Sequence, residues 1–366
     1  MAETVHIIEP TLASQAGHCH SFVASLCQAG SADQTQFRVW GGKQAWLPGL
    51  VAGKLCLERF FYRKIRRLQE LFLFRRLLAG PGRIFVSTAG RVDMVLLDWA
   101  ASAGVPPNKV FFYMHWVRPT PRKLAFFRKM ARRHPALVII GPTTSVVEVF
   151  AGCGFTNCLV VPYPITPRET EQVPATEFRH LLFAGAARQD KGFSYVVDLL
   201  SHLAASGEAI PVTLQTSADH YDKFDTATKA DLERLNLLHY PQLAIRPETL
   251  AASDYFALYN GAICLQPYNV QDFSDRISGI TLDALSMGAP LVTLAGTWMA
   301  RVVERFAAGI VITSPAPDQL LDAVQRIIAE YGRYQANACR AGRTLQEEHS
   351  ASHLYALLTA KSVEKP

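Results

Sequence analysis

Two segments in the C-terminal half of this 366-residue chain carry residue types and spacings suited to phosphate chemistry. The first, residues 268–290, reads YNVQDFSDRISGITLDALSMGAP, with seven residues between Asp275 and Asp283 and with Ser278, Gly279 and Ile280 among them. A strand-length apolar run, 261–265, precedes it, and the sequence from Thr281 onward is helix-like. A Ser-Gly turn at a helix start presents amide N–H groups that have no partner within the helix. The helix dipole adds partial positive charge there, so the turn can cradle a phosphate. Asp275, in the loop before the helix, can point at a sugar; Asp283, in its first turns, can accept from ribose hydroxyls. A solvated loop aspartate and a helix-start aspartate favoured by the dipole would show the same letters. The second segment, 181–192, reads LLFAGAARQDKG. A strand ends at Gly185, and Arg188 with Lys191-Gly192 opens a helix.

These residues need elements to hold them. Residues 5–8, 83–87, 110–114 and 136–140 are apolar runs of strand length with helical stretches between them, a helix near 20–29 among these. A second alternation follows, with strands at 180–184, 211–216, 261–265 and 290–294, a helix over 318–330 and a helical tail from Tyr334. Such alternation predicts an α/β chain of parallel sheets covered by helices on both faces. Pro162, Pro164, Pro167 and Pro174 mark a linker. The expected organisation is a domain over 1–165, a linker over 166–178, a second domain over 179–345 and a tail over 346–366. Two doubly wound domains joined in this way make a cleft, and ligands bind outside the carboxyl ends of the strands.

Residues 268–290 resemble the E-x7-E region of retaining GT-B glycosyltransferases, above all family 4 (glycosyl transferases group 1), with Asp in place of Glu at both ends. Gly288-Ala289-Pro290 and the strand after it also match, as does the run 309–313 followed by a helix. Segment 181–192 resembles the G-x-x-R-x-x-K-G donor-phosphate motif of the same family. The opening resembles the family's first βα loop, with strand 5–8 followed by Glu9-Pro10-Thr11 and Ala16-Gly17-His18. The resemblance implies the GT-B fold, two Rossmann-like domains facing a cleft, and sugar transfer from a GDP- or UDP-sugar without a metal. It implies that Arg188 and Lys191 stabilise the leaving diphosphate and that Gly185 belongs to the same turn. Asp275 would orient the sugar, the amides of Ser278, Gly279 and Ile280 would hold phosphate, and Asp283 would bind ribose. Gly17 would let the backbone approach the ligand. His115, which follows strand 110–114, would sit beside the reaction centre; a buried structural histidine is the alternative. Arg118, three residues on, could serve the acceptor or a phosphate. The implied acceptor is a lipid-linked or membrane-proximal glycan of surface polysaccharide or glycolipid assembly. Two other readings fit the same pattern: a sugar-nucleotide 2-epimerase of this fold, and a catalytically silent membrane-bound scaffold.

Bulk properties bound these readings. Hydrophobic residues make up 49% and charged residues 19%, a globular composition of a length that suits two domains. Residues 1–165 carry 20 Lys and Arg against 8 Asp and Glu, a net of +12, and the remainder 17 against 23, a net of −6. The first half therefore faces something anionic. Lys54, Arg59, Arg63, Lys64, Arg66, Arg67, Arg75, Arg76 and Arg83 stand against Glu58 and Glu70, with Leu57, Phe61, Ile65, Leu68 and Phe72 at helical spacing. A second basic stretch, 118–133, has no acid and interleaves Phe126 and Phe127. Basic amphipathic helices with aromatics suit an anionic membrane surface. No nucleic-acid-binding motif accompanies the charge. Neither a Walker A sequence nor a GxGxxG follows the first strand, and no D-x-D triplet follows any strand. His18, Cys19 and His20 are consecutive, so their side chains cannot all face one metal ion. The seven scattered cysteines lack CxxC spacing and read as reduced thiols. With no signal-like N-terminus and no apolar run of spanning length, the expectation is a cytoplasmic protein, peripheral on the inner face of the membrane.

Overall fold

Short apolar strands such as Val110–Tyr113 (VFFY) and Val138–Gly141 (VIIG) are buried along their whole length, the pattern of a parallel sheet covered on both faces. The computed structural model describes residues 4–12, 18–30, 35–47, 55–165, 177–218, 224–248 and 250–360. Gly17 and most of the expected linker lie outside them. The chain divides into two units, residues 1–167 with 348–366, and residues 168–347.

Unit 1 contains β1 (Thr4–Ile8), α1 (His18–Ala29), β2 (Gln36–Gly42), β3 (Leu55–Phe61), α2 (Arg66–Ala79), β4 (Arg83–Val86) and α3 (Arg91–Ala100). It continues with β5 (Val110–Tyr113), α4 (Pro121–Arg133), β6 (Val138–Gly141), α5 (Thr144–Ala151) and β7 (Cys158–Val160). All strands pair in parallel in the order β3-β2-β1-β4-β5-β6-β7. Side chains alternate across the sheet as the pleat demands. Val5, Ile7, Phe85, Phe111 and Ile140 join one core with Phe22 and Leu26 of α1. Ile8, Ile84, Val86, Phe112 and Ile139 join the other, with Leu73, Leu97, Met130 and Phe150 from α2 to α5.

Unit 2 contains β8 (His180–Phe183), a single 3-10 turn (Gln189–Lys191), α6 (Phe193–Ser206), β9 (Val212–Gln215), α7 (Thr226–Leu237), β10 (Leu243–Arg246) and α8 (Ala252–Ala257). Then come β11 (Ala262–Gln266), α9 (Val270–Phe273), α10 (Gly279–Ser286), β12 (Leu291–Leu294), α11 (Trp298–Phe306), β13 (Gly309–Ile312), α12 (Pro317–Ala329) and α13 (Tyr331–Glu348). Its parallel strands run in the order β10-β9-β8-β11-β12-β13.

The tail beyond residue 348 returns to unit 1. Its helix α14 (Ala351–Thr359) sends Leu354, Tyr355 and Leu358 into the core beside α1, and Arg83 Nη1 donates to Leu358 O at 2.7 Å.

The expected helical stripe from Leu57 to Phe72 is corrected. Leu57 and Phe61 lie on β3, and the helix starts only at Arg66. β3 (LCLERFF) contains no β-branched residue, and its two aromatics stand only at its end, so pairing with β2 more than propensity makes the strand. Phe127 likewise points into the core, and Phe126 packs against it.

Candidate active site

In each sheet the strand order reverses direction once, between β1 and β4 in unit 1 and between β8 and β11 in unit 2. The loops leaving the carboxyl ends of such strand pairs diverge, and the crevice between them is where ligands of open α/β sheets bind.

In unit 2 those loops are the two segments singled out in the sequence. After β8 the chain turns at Gly185 with φ of +89°. A Cβ there would stand 2.6 Å from Ile280 Cδ1 and 3.0 Å from Lys191 Nζ, so the missing side chain lets this turn lie against the start of α10. The Gly185 N–H donates to Gln215 Oε1 at 2.6 Å, so that amide is taken up by the fold. The 3-10 turn follows, braced from α7: Gln189 Nε2 donates to Thr228 Oγ1 at 3.2 Å and to Asp231 Oδ2 at 2.9 Å. Gly192, φ +72°, closes the turn where a Cβ would lie 2.1 Å from Pro267 O. Asn269 N–H donates to Asp190 O at 2.9 Å, which locks the loop after β11 to the same turn.

That second loop leads into α10. Ser278 is its N-cap, with the Thr281 N–H directed at Ser278 Oγ, and Thr281 Oγ1 donates to the buried Gln266 Oε1 at 2.7 Å. Ser278 thus occupies Thr281 and Leu282, leaving Gly279 and Ile280 as the amides that a helix start turns outward. A Cβ on Gly279 would meet no described atom within 4 Å. Asp275 Oδ1 is ion-paired to Arg301 Nη2 of α11 at 3.2 Å. Asp283 Oδ2 accepts from Tyr255 Oη at 3.0 Å, and Tyr255 accepts in turn from Tyr259 Oη at 2.6 Å.

The electrostatics of this edge are dominated by cations. Asp190 pairs with Arg188, and Arg276 Nη1 stands 3.7 Å from the same carboxylate oxygen. Lys191 is only partly covered by surface area, yet its ammonium is set among protein atoms. Loss of water first, then repulsion from Arg188, draws its pKa from 10.5 to about 8.

In unit 1 the corresponding edge holds Glu9, at the end of β1 and fully buried. Its carboxylate accepts from Thr11 N at 3.1 Å, from Ser87 Oγ at 2.8 Å, and from the Thr11 and Thr88 hydroxyls. Burial raises its pKa, and these donors pull it back. His115 lies beside this group, with Nε2 2.8 Å from Ser87 O and its ring 5.0 Å from Tyr113 and 5.3 Å from Tyr163.

The structure therefore brings Gly185, Arg188, Lys191, Ser278, Gly279 and Ile280 to one crevice, with Asp275 and Asp283 on the elements around it. His115 belongs to the other unit. Sequence reasoning passed over Gln215, Tyr255 and Arg276, and named Glu9 only as part of the loop after the first strand. Arg276 sits inside the quoted motif and could have been singled out as a cation one residue from Asp275; Gln215 and Tyr255 carry no sequence signal of their own. Among the described residues, no group of three or more His, Cys, Asp or Glu is arranged to hold a metal ion.

Two Rossmann-like units, each open at one switch point, give the GT-B fold seen in solved glycosyltransferases. Structures that share it include trehalose-6-phosphate synthase OtsA, with a TM-score of 0.70 at 12% identity over 98% of this chain and 99% of that one. Another is Alr3699/HepE of Anabaena in complex with UDP and glucose, with a TM-score of 0.66 at 13% identity and 97% of each chain covered. A third is WaaG, a glycosyltransferase involved in lipopolysaccharide biosynthesis, with a TM-score of 0.66 at 15% identity over 97% of this chain and 100% of that one. No protein-family model and no curated protein matches the sequence. At these identities the likeness is one of fold.

Proposed function

We propose that this chain is a retaining glycosyltransferase that takes its sugar from a UDP- or GDP-sugar without a metal ion. The observation that carries the reading is the close approach of the two motif segments, where Ile280 Cδ1 and Lys191 Nζ occupy the space a side chain on Gly185 would need. Two cations and a helix start thereby converge where a diphosphate would bridge them. In the reaction the bond from the anomeric carbon to the diphosphate oxygen breaks, the acceptor oxygen bonds to that carbon, and the acceptor's proton passes to the departing diphosphate. Negative charge grows on the leaving diphosphate, and Arg188, Lys191 and the Gly279 and Ile280 amides would meet it in place of a metal. Asp283, oriented by Tyr255, would hold ribose; Asp275, oriented by Arg301, would hold the sugar; and His115 would stand at the reaction centre. WaaG is a glycosyltransferase by name, OtsA is a trehalose-6-phosphate synthase also solved with UDP-2-fluoro glucose, and HepE holds UDP and glucose, which supports the donor class.

For the acceptor we infer a lipid-linked or membrane-proximal glycan. No helix among the described residues is long and apolar enough to cross a membrane. Helix α2 instead carries two apolar faces. Leu73, Phe74 and Leu77 are buried, while Leu68 and Phe72 are each 55% exposed and Ile65, just before the helix, is 49% exposed, beside Arg63, Lys64 and Arg75. An apolar ridge flanked by cations suits a peripheral contact with anionic lipid.

The deciding experiment is release of UDP or GDP from a panel of their sugars, in EDTA, with and without extracts of lipid-linked acceptor. Acceptor-dependent release in chelator is the expected result. No release from any donor would end the enzymatic reading, and activity restored by magnesium or manganese alone would end the metal-independent one.

A further inference from the structure

Arg276 has no part in the roles assigned above. It sits on the loop between α9 and α10, its guanidinium 4.9 Å from the Phe273 ring centroid and 3.7 Å from Asp190 Oδ2. Asp190 is also the partner of Arg188, so one carboxylate on the β8 loop holds two guanidinium groups carried by different loops. Lys191, the next residue, feels repulsion from both arginines, and Arg276 feels it from Arg188. Three cations therefore crowd one another around Asp190, with Asp272 further out beside Arg276. Burial of Arg276 weakens its hold on its charge, as does Arg188. Such a cluster is strained by like charge until an anion with several oxygens joins it, and the planar arginine fork suits a phosphate with two acceptors.

We propose that Arg276 is a diphosphate-binding residue, the third cation of a cradle with Arg188 and Lys191, and that Asp190 is the internal counter-ion that keeps its guanidinium aimed at the crevice. The proposal rests on the nucleotide-sugar reading and adds to it a charge supplied from the loop after β11. An anion bound there is gripped from both sides of the switch point: by Arg188 and Lys191 on the β8 loop, and by Arg276 and the α10 amides on the β11 loop. Because Arg276 is one residue from Asp275, binding through it also fixes the segment that carries that carboxylate.

The test is calorimetric titration of the full chain with inorganic pyrophosphate, UDP and GDP, comparing the wild type with Arg276→Gln and Arg276→Lys. Loss of one charge-assisted contact should weaken pyrophosphate binding about tenfold in Arg276→Gln and flatten its salt dependence, while Arg276→Lys, which keeps the charge but not the fork, recovers only part of the affinity and keeps the salt dependence. Should Arg276→Gln lower the melting temperature, titration well below its melt still reads the charge as the difference in salt dependence between Arg276→Gln and Arg276→Lys. Equal pyrophosphate affinity in all three proteins, or none in the wild type, overturns the cradle. A wild type that binds pyrophosphate in an Arg276-dependent way but neither UDP nor GDP keeps the cradle and overturns the nucleotide reading.

Discussion

Lys191 is the residue whose chemistry is most altered by its surroundings. An ordinary lysine titrates near 10.5, and this one is drawn down to about 8 by burial and then by Arg188. Between those values the folded chain has released the proton while the unfolded chain still holds it. The unfolded state binds more protons there, so the ligand-free fold gains stability as pH rises through that window. A bound diphosphate favours the charged amine and raises its pKa again. Nucleoside diphosphate binding at pH 8 should therefore take up protons, and affinity should fall as pH climbs above 8. Calorimetry at pH 8 in buffers of different ionisation enthalpy measures that uptake, and Lys191→Met should abolish it. Proton-neutral binding by the wild type would take Lys191 out of contact with the ligand. Because charge on the leaving group grows towards the transition state, Lys191→Ala should also cost turnover about 100- to 1,000-fold.

At the scale of elements, one packing device holds the crevice of unit 2 and another braces unit 1. Gly192 joins the 3-10 turn to α6 in the left-handed region, where Pro267 O occupies the space a Cβ would need. Gly192→Ala should cost about 1–2 kcal/mol for the backbone alone. The approach to Pro267 adds to that and pushes the loops after β8 and β11 apart. The expected outcome is a lower melting temperature together with weaker nucleotide binding; an unchanged melt would show that the turn relaxes freely. The second device is a carboxyl pair between α2 and α3. Arg67 Nη1 meets Glu70 Oε2 at 2.9 Å and Asp93 Oδ1 at 2.5 Å, and Asp93 Oδ2 accepts from Gly90 N at the start of α3. Burial first, and then Asp93, push the Glu70 carboxyl well above its ordinary range, against the pull of Arg67. A raised folded pKa means that the contribution to stability is present below the ordinary value of 4.5 and is lost as pH rises towards the folded value. Unit 1 should therefore weaken as pH is raised from mildly acidic to alkaline. Glu70→Gln should flatten that dependence, as chemical denaturation across the range would measure. A slope unchanged by the substitution would place the titration elsewhere.

For the molecule as a whole the separation of charge matters most, a net of +12 in residues 1–165 and −6 in the rest. If the α2 ridge docks on anionic lipid, each cation near the surface contributes about 1 kcal/mol, and the attraction is screened within about 8 Å at physiological salt. Replacing Arg63, Lys64 and Arg66 together with Gln should release the protein from anionic vesicles, while UDP and GDP affinity stays as in the wild type. Arg67 is left out because it faces Glu70 and Asp93. Vesicle sedimentation with and without anionic lipid, across a salt series, is the measurement. Equal binding to neutral and anionic vesicles, or none to either, would point to an acceptor in solution.

The fold class, the main strands of both units and the two segments that meet at the unit 2 switch point could be read from the sequence. Fully buried parallel strands appear as unbroken apolar runs such as 110–114 and 261–265, and Ser-Gly at a helix start or Arg and Lys at a turn are local signals. What local signals lack is register and neighbourhood. Residues 55–61 became β3 because a parallel partner was available in β2. The apolar residues of that stretch accordingly divide between a strand and a helix rather than forming one stripe. Phe126 and Phe127 face the core because α4 packs on the sheet, which the run of cations around them conceals. Arg276 gains its place beside Asp190 only when β11 pairs next to β8, and Gln215 reaches Gly185 only because β9 pairs on the other side of β8. The residue types were written in the sequence. Which of them share one crevice was decided by strand order, because pairing in a parallel sheet joins segments that no local pattern connects.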